Sequence, residues 1–302
     1  MTRTDRRSVL TGFGALALGG CGRAETQATP EAPVAPVAPA ALDLSGLERA
    51  NGGRLGFVAH DGGSGRRLAW RGDERFVYCS TFKMYLAAAT FLRVQAGQER
   101  LDRQIPVAGA DMVNHAPVTG PAVGGALSVE TLMKGAVEVS DNPAANLLLR
   151  ALGGLEPMRA FYRSLGDDST TVDRFEPGMN RLDGEKDTIV PLRSVANLKR
   201  LLIDADTPLS EDHKARLLRW MTDTPTGQGR IKAGLPVGWT VAHKTGTGGY
   251  GPTNDIGVLY PPAGAPVIVA AYYHAAAAGP ADRHDAVIAE ATRLALAALG
   301  RA

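Results

Sequence analysis

The chain has little of several things that would settle a function class. It has only two cysteines, Cys21 and Cys79, in 302 residues, too few for a disulfide framework. Its six histidines (His60, His115, His213, His243, His274 and His284) are never spaced as metal ligands, and neither H-x-x-x-H nor C-x-x-C occurs. No metal site and no cofactor is therefore expected. The formal net charge is only +2, with lysines and arginines scattered, so no basic stripe points to nucleic acid. Beyond the extreme N-terminus there is no apolar run long enough to span a bilayer, and no internal repeat. What is left is enough chain for a real core, in one large domain or two small ones.

The first residues, TDRRSVLTGFGALALGGCG, have the outline of an export signal. Arg6 and Arg7 form its charged part, and Val9 to Gly20 form an apolar core too short for a transmembrane helix. The paired arginines followed by Ser8-Val9-Leu10 resemble a twin-arginine signal. Leu18-Gly19-Gly20-Cys21 resembles a lipobox, in which Cys21 is lipidated. An ordinary cleaved signal with an incidental cysteine is the alternative. The run EAPVAPVAPA then reads as an extended tether. The expected division is an export signal over 1–21, a Pro/Ala-rich tether over 22–41 and a folded domain over 42–302.

Within that domain, Arg54 to His60 and Arg67 to Arg71 read as strands joined at DGGSG. MYLAAATFLRVQAG reads as a buried helix ending at Gly97. The middle is mostly helical, and WTVAHKTG, DIGVLY and VIVAAYY are strand-like. DRHDAVIAEATRLALAALG reads as a final helix with Ile288, Ala291, Ala295 and Leu299 on one face and Gly300 as its cap. The economical fold is α/β (α+β): an antiparallel sheet built from both chain ends (about 42–75 and 227–302), flanked by helices, with a mostly helical lobe (about 76–226) inserted between.

Four motifs carry chemistry. Ser80 to Lys83 is S-x-x-K. At the start of a helix, positions i and i+3 share a face, so the Lys83 amine is expected to reach the Ser80 hydroxyl, a poor nucleophile until its proton is taken. Ser140-Asp141-Asn142 precedes Pro143, a helix-starting residue, and so lies on a loop between helices. Lys244-Thr245-Gly246 ends a strand, offering a cation, a hydroxyl and a position of close backbone approach. RFEPGMN places Glu176 before Pro177, with Asn180 four residues on; a carboxylate there suits deprotonation of a water. Each alone has a plain structural explanation: a cap serine, an N-cap aspartate, a strand end, a helix start.

Together and in this order they resemble the class A serine β-lactamases, over about residue 42 to the C-terminus; the first three also mark penicillin-binding proteins. The resemblance implies the following roles. Ser80 attacks the β-lactam carbonyl, and the backbone N–H groups of Ser80 and Thr247 form the oxyanion hole. Lys83, or Glu176 through water, is the base for acylation. Ser140 passes a proton to the leaving nitrogen, and Asn142 binds the substrate's side-chain amide. Glu176 and Asn180 hold the deacylating water. Lys244, Thr245, Gly246 and Thr247 receive the substrate carboxylate. Thr253 stands where some members carry an arginine for that carboxylate, and Arg230 is the expected substitute. His115 stands where an aromatic usually walls the mouth. Arg174 and Asp187 match a loop-closing ion pair. His243, beside Lys244, is expected to make activity pH-sensitive. Cys79 matches a cysteine that is disulfide-bonded in some carbapenem-hydrolysing members, but the partner position is Gly248, so Cys79 is read as a small buried packing residue.

The implied protein is an exported, monomeric β-lactam hydrolase that confers β-lactam resistance. It is periplasmic, with or without a lipid anchor at Cys21. A D,D-peptidase and a non-hydrolysing β-lactam sensor are the alternatives. Glu176 and Asn180 argue against both, because they serve deacylation.

Overall fold

The computed structural model describes residues 39–302 apart from Tyr250 and Ala278. The export and lipobox readings, Cys21 included, lie outside the described residues. In chain order the elements are β1 (Ala40–Ala41), α1 (Ser45–Asn51), β2 (Arg54–Asp61), β3 (Arg67–Trp70), β4 (Phe76–Val77), α2 (Phe82–Gln95), β5 (Gln104–Pro106), β6 (Ala126–Ser128), α3 (Val129–Glu138), α4 (Asn142–Leu152), α5 (Leu155–Ser164), β7 (Thr188–Ile189), α6 (Pro191–Leu202), α7 (Glu211–Asp223), β8 (Thr240–Thr247), β9 (Pro252–Tyr260), β10 (Val267–His274) and α8 (Ala281–Leu299).

The main sheet has six strands in the order β1-β3-β2-β10-β9-β8. Pairing is antiparallel except between β1 and β3, which run parallel. The strands of the two chain ends meet where Phe57 of β2 faces Ala271 of β10. Two expectations change at the N-terminal edge. Ala40 and Ala41, read above as the end of the tether, pair with Leu68 and Ala69. The short helix α1 (SGLERAN) has no counterpart in the sequence reading, because seven residues are too few to show helical periodicity.

VIVAAYYH is continuously apolar because both faces of β10 are covered. Alternate residues point to opposite sides of a sheet. Val267, Val269, Ala271 and Tyr273 join Leu55, Phe57 and Ala59 in a core with Ile288, Ala291, Ala295 and Leu299 of α8. Ile268, Ala270 and Tyr272 join Val58, Ala242, Ile256 and Val258 in the larger core shared with the helices. At its far end α8 stops at Gly300, whose φ of 73° and ψ of 31° are left-handed.

Helix α2 is buried on every side from Phe82 to Phe91. It therefore shows no strong polar face, and α3, α4 and α5 pack against it. At the junction between the sheet and the helices, Phe76 is held tightly. Its ring lies edge-on to His274 with centroids 5.0 Å apart, beneath the Arg54 guanidinium at 4.3 Å. A Cβ added at Gly56 would come within 2.3 Å of that ring.

Two outcomes follow. Gly56→Ala should destabilise the protein by about 1–3 kcal/mol, because the Phe76 ring has no room to retreat; denaturant unfolding checks this. Burial, followed by the nearby Arg54 charge, lowers the His274 pKa from 6.5 to about 4. The unfolded chain then binds more protons than the folded one between those values, so stability rises with pH across that window and falls as pH drops through it. Unfolding free energies measured from about pH 4 to about pH 6.5 should show this slope, and His274→Gln should flatten it.

Candidate active site

The site is assembled from four places in the chain. Ser80 lies in a 3-10 turn, Cys79–Thr81, that runs directly into α2. Cys79 is fully buried and holds the left-handed φ of 48°. This bend turns the following residue, Ser80, towards the cavity. Strand β8 passes close by: a Cβ on Gly246 would lie 2.6 Å from the Tyr78 carbonyl oxygen and 3.1 Å from the Cys79 Cβ. Only glycine permits that approach, and it sets the end of β8 beside the serine.

Glu176 is the hub. Its carboxylate oxygen Oε1 accepts from the Ser80 hydroxyl at 3.2 Å and lies 3.0 Å from Lys83 Nζ. Its other oxygen accepts from Asn180 Nδ2. The Lys83 and Glu176 side chains are both completely buried. The Asn180 Oδ1 atom is buried beside them with no hydrogen-bond partner among the described residues. The Glu176–Pro177 peptide bond is cis.

The expected reach of Lys83 to Ser80 is redirected. The ammonium instead donates to the Ser140 carbonyl at 2.8 Å and to Asn142 Oδ1, and its remaining donor faces Glu176. Three donors are thereby used, and Ser80 meets the carboxylate rather than the amine. Burial pushes the Lys83 pKa down, against the pull of Glu176.

Ser140 holds a φ of 61° on the turn between α3 and α4. Its neighbour Asp141 caps α4 by accepting from the Ala144 N–H at 2.8 Å, and it also accepts from Thr119. The cap explanation is thus correct for Asp141 while its two neighbours face the cavity. Ser140 Oγ stands between two lysines, 3.4 Å from Lys83 Nζ and 3.2 Å from Lys244 Nζ. Burial, together with the Lys83 charge, holds the Lys244 pKa well below its usual value. Asn142 Nδ2 donates to the Asn114 carbonyl at 2.9 Å, so both ends of this amide have protein partners.

At the opposite wall, Thr245 Oγ1 pairs with Thr226 Oγ1 at 2.9 Å. Thr253 is buried and pairs with Thr247 across the strands. Arg230 reaches the same strand ends from the segment before β8. It donates to the Gly246 carbonyl at 3.1 Å, the Asn254 carbonyl at 2.8 Å and Thr247 Oγ1 at 2.8 Å. Asp285 on α8 holds its Nε at 2.7 Å.

The remaining residues frame these groups. Arg174 Nε meets Asp187 at 2.6 Å. Asp187 is fully buried and also accepts from the Asp173 N–H at 2.8 Å, closing the loop that carries Glu176. His115 is exposed at the mouth with a φ of 62°, and its Nε2 lies 2.8 Å from the Val139 carbonyl. His243 is not among the lining residues of the cavity; it is buried, and its Nδ1 lies 3.0 Å from both Asp255 oxygens. Cys79 has no disulfide partner among the described residues. The cavity is about 440 Å³, and Ser80, Ser140, Asn142, Asn180, Thr245 and Arg230 are among its lining residues.

Three functional neighbours escaped the sequence reading. Asn146 donates to the Glu176 carbonyl and accepts from its N–H, both at 2.9 Å. It lies one helical turn after Asn142 on α4, so the i, i+4 spacing of two asparagines was an available signal. Asp255 and Asp285 had no local signal, because their partners are distant in sequence.

The model of the beta-lactamase enzyme family matches residues 39–299. The chain is 36% identical to beta-lactamase Toho-1 of Escherichia coli over 90% of its length and 91% of the relative's. It is 38% identical to beta-lactamase L2 of Stenotrophomonas maltophilia over 93% of each chain. Among solved structures, an ancestral class A β-lactamase is 47% identical, with a TM-score of 0.81 over 84% of this chain and 98% of the other. A β-lactamase of Xanthomonas campestris is 40% identical, with a TM-score of 0.79 over 83% of this chain and 93% of the other. With Ser80, Lys83, Ser140 and Glu176 gathered in one buried cluster, the chain belongs to the class A serine β-lactamases.

Proposed function

We infer that the chain hydrolyses β-lactams through an ester on Ser80 and so confers β-lactam resistance. One observation carries the assignment of roles: the buried Glu176 carboxylate is within reach of Ser80, Lys83 and Asn180 at once. In the acylation step the Ser80 oxygen forms a bond to the lactam carbonyl carbon while its proton passes to Glu176 Oε1, the acceptor beside it. Backbone N–H groups of Ser80 and Thr247 receive the negative charge on the carbonyl oxygen. The ring C–N bond then breaks. Ser140, between the two lysines, gives its proton to the leaving nitrogen and is reprotonated from Lys83, which recovers the proton held on Glu176 across their 3.0 Å contact, so that Glu176 is again a carboxylate.

Deacylation needs a water placed against the ester. The water oxygen bonds to the ester carbon as Glu176 takes its proton, and that proton returns to the Ser80 oxygen as the ester C–O bond breaks; Asn180 Oδ1, without a partner among the described residues, is suited to hold the water. Asn142 is the partner for the substrate's side-chain amide. The substrate carboxylate is received by Lys244, Thr245, Thr247 and Arg230, a cationic end with Gly246 allowing close approach. Arg174 and Asp187 keep the Glu176 loop in place, Cys79 packs behind the nucleophile, and His115 walls the mouth.

Export is proposed from the Arg6-Arg7 pair and the apolar core after it. Lipidation of Cys21 is a further proposal on the same segment, and we propose a monomer. A sensor that stays acylated, or a D,D-peptidase, is disfavoured because neither uses the Glu176–Asn180 pair.

Glu176→Ala should lower steady-state turnover of a chromogenic cephalosporin by about 10²–10⁴-fold, and whatever ester still forms on Ser80 should persist as an adduct seen by mass spectrometry. Unchanged turnover would refute the role of Glu176. Arg230→Gln should raise KM by about tenfold, with a smaller change in kcat, because a charge-assisted contact to the carboxylate is lost.

A further inference from the structure

We propose that Arg181 is a specificity-determining residue that selects β-lactams whose acyl side chain carries a second anionic group, a carboxylate or sulfonate. This rests on the hydrolase reading above and adds a substrate preference to it.

The direction of the substrate follows from its chemistry. In a bicyclic β-lactam the ring nitrogen bears the carbon with the carboxylate, and the acylamino substituent stands on the other side of the carbonyl. With that carbonyl at Ser80 and the carboxylate at Lys244, Thr245 and Arg230, the acyl side chain faces the opposite wall. Asn142 of α4 and Pro177, Asn180 and Arg181 of the Glu176 loop, all outside β8, are among the lining residues of the cavity.

Two arginines line this cavity, and apart from the buried Glu176 that accepts from Ser80 no Asp or Glu of the described residues lines it. They differ in how their charge is used. The Arg230 guanidinium is tied to Asp285 and to the strand ends. Arg181 is exposed, and among the described residues its guanidinium has neither an ion-pair partner nor a hydrogen bond. The nearest acid in sequence, Asp183, is already held by Lys186 at 3.0 Å and by Arg174 at 3.4 Å. The hollow beside Arg93, Arg100 and Arg103 shows the contrast. There Glu99 pairs with Arg103 and Asp102 pairs with Arg100, whereas Arg181 has no such partner among the described residues.

The position of Arg181 is also fixed. Its N–H donates to the Gly178 carbonyl at 3.3 Å, and its own carbonyl accepts from Arg174 Nη2 at 3.1 Å. Asn180, next in the chain, is anchored on Glu176. The side chain therefore starts from a held backbone at the cavity wall. A planar guanidinium matches a carboxylate or sulfonate with two parallel N–H bonds. A concave wall of one sign also raises the local concentration of an anion before contact.

The test uses a matched pair, benzylpenicillin and its α-carboxy derivative, with the wild-type protein, Arg181→Gln, Arg181→Glu and Arg181→Lys. The readout is the ratio of kcat/KM for the dianion to kcat/KM for the parent. Arg181→Gln should lower that ratio by about three- to tenfold, and Arg181→Glu should lower it further. Arg181→Lys should give a ratio between those of the wild type and Arg181→Gln, since the charge is kept while the bidentate geometry is lost. The loss should appear in KM and shrink between low salt and about 0.5 M salt. A misfolded variant would lose both substrates together and leave the ratio unmoved, so a change in ratio with the salt signature supports the proposal. A wild-type ratio retained by both Arg181→Gln and Arg181→Glu, with the parent still hydrolysed, overturns it alone. Failure of the wild type to turn over benzylpenicillin overturns the hydrolase reading and this preference with it.

Discussion

The rest of the site depends on the burial of one ion pair. Lys83 and Glu176 have no exposed side-chain surface, and they meet at 3.0 Å. Neither charge is tolerable alone in such a place, and the pair is stable only if its remaining donors and acceptors are also met. Ser140 and Asn142 meet those of the lysine, while Ser80 and Asn180 meet those of the carboxylate. The S-x-x-K turn, the S-D-N turn and the Glu176 loop are thus drawn to one point by a single electrostatic requirement. The same burial that costs solvation free energy lowers the lysine pKa and leaves the carboxylate as the acceptor beside the nucleophile.

A second constraint is steric. Strand β8 closes the cavity only because Gly246 has no side chain to strike Tyr78 and Cys79. Arg230 then secures the strand ends through two backbone carbonyls, with Asp285 of α8 behind it. The C-terminal helix, far from the chemistry in sequence, thereby supports the end of the cavity suited to a substrate carboxylate. The loop of Glu176 is secured in the same way by Asp187, which gathers Arg174 and two backbone N–H groups.

Much of the fold was legible. The three strand-like runs at the C-terminal end and the final helix carry strong local patterns, and Gly300 is an unambiguous stop. The S-x-x-K, S-D-N and K-T-G motifs could be read because their residues are close in sequence. In the site, what could not be read shares one property: the partners are far apart along the chain. The clamp of Asn146 on Glu176 spans 30 residues, and the Arg230–Asp285 bond spans 55. The redirected Lys83 belongs to the same class, since helical spacing places it near Ser80 but says nothing of the three acceptors that claim it. His243 belongs to the same class: adjacency to Lys244 was legible, but its buried pairing with Asp255, twelve residues on, was not.

By itself the sequence determined the residue types able to do acyl transfer, their order, and the strands and helices that would carry them, because these rest on local spacing and on motif identity. Tertiary structure alone decided which group touches which. It placed Glu176 rather than Lys83 against the Ser80 hydroxyl, set Ser140 between two lysines, and left Arg181 without an ion-pair partner among the described residues at the cavity wall. Those outcomes are competitions among buried donors and acceptors for a limited set of partners, and only the packed chain fixes which partners are within reach.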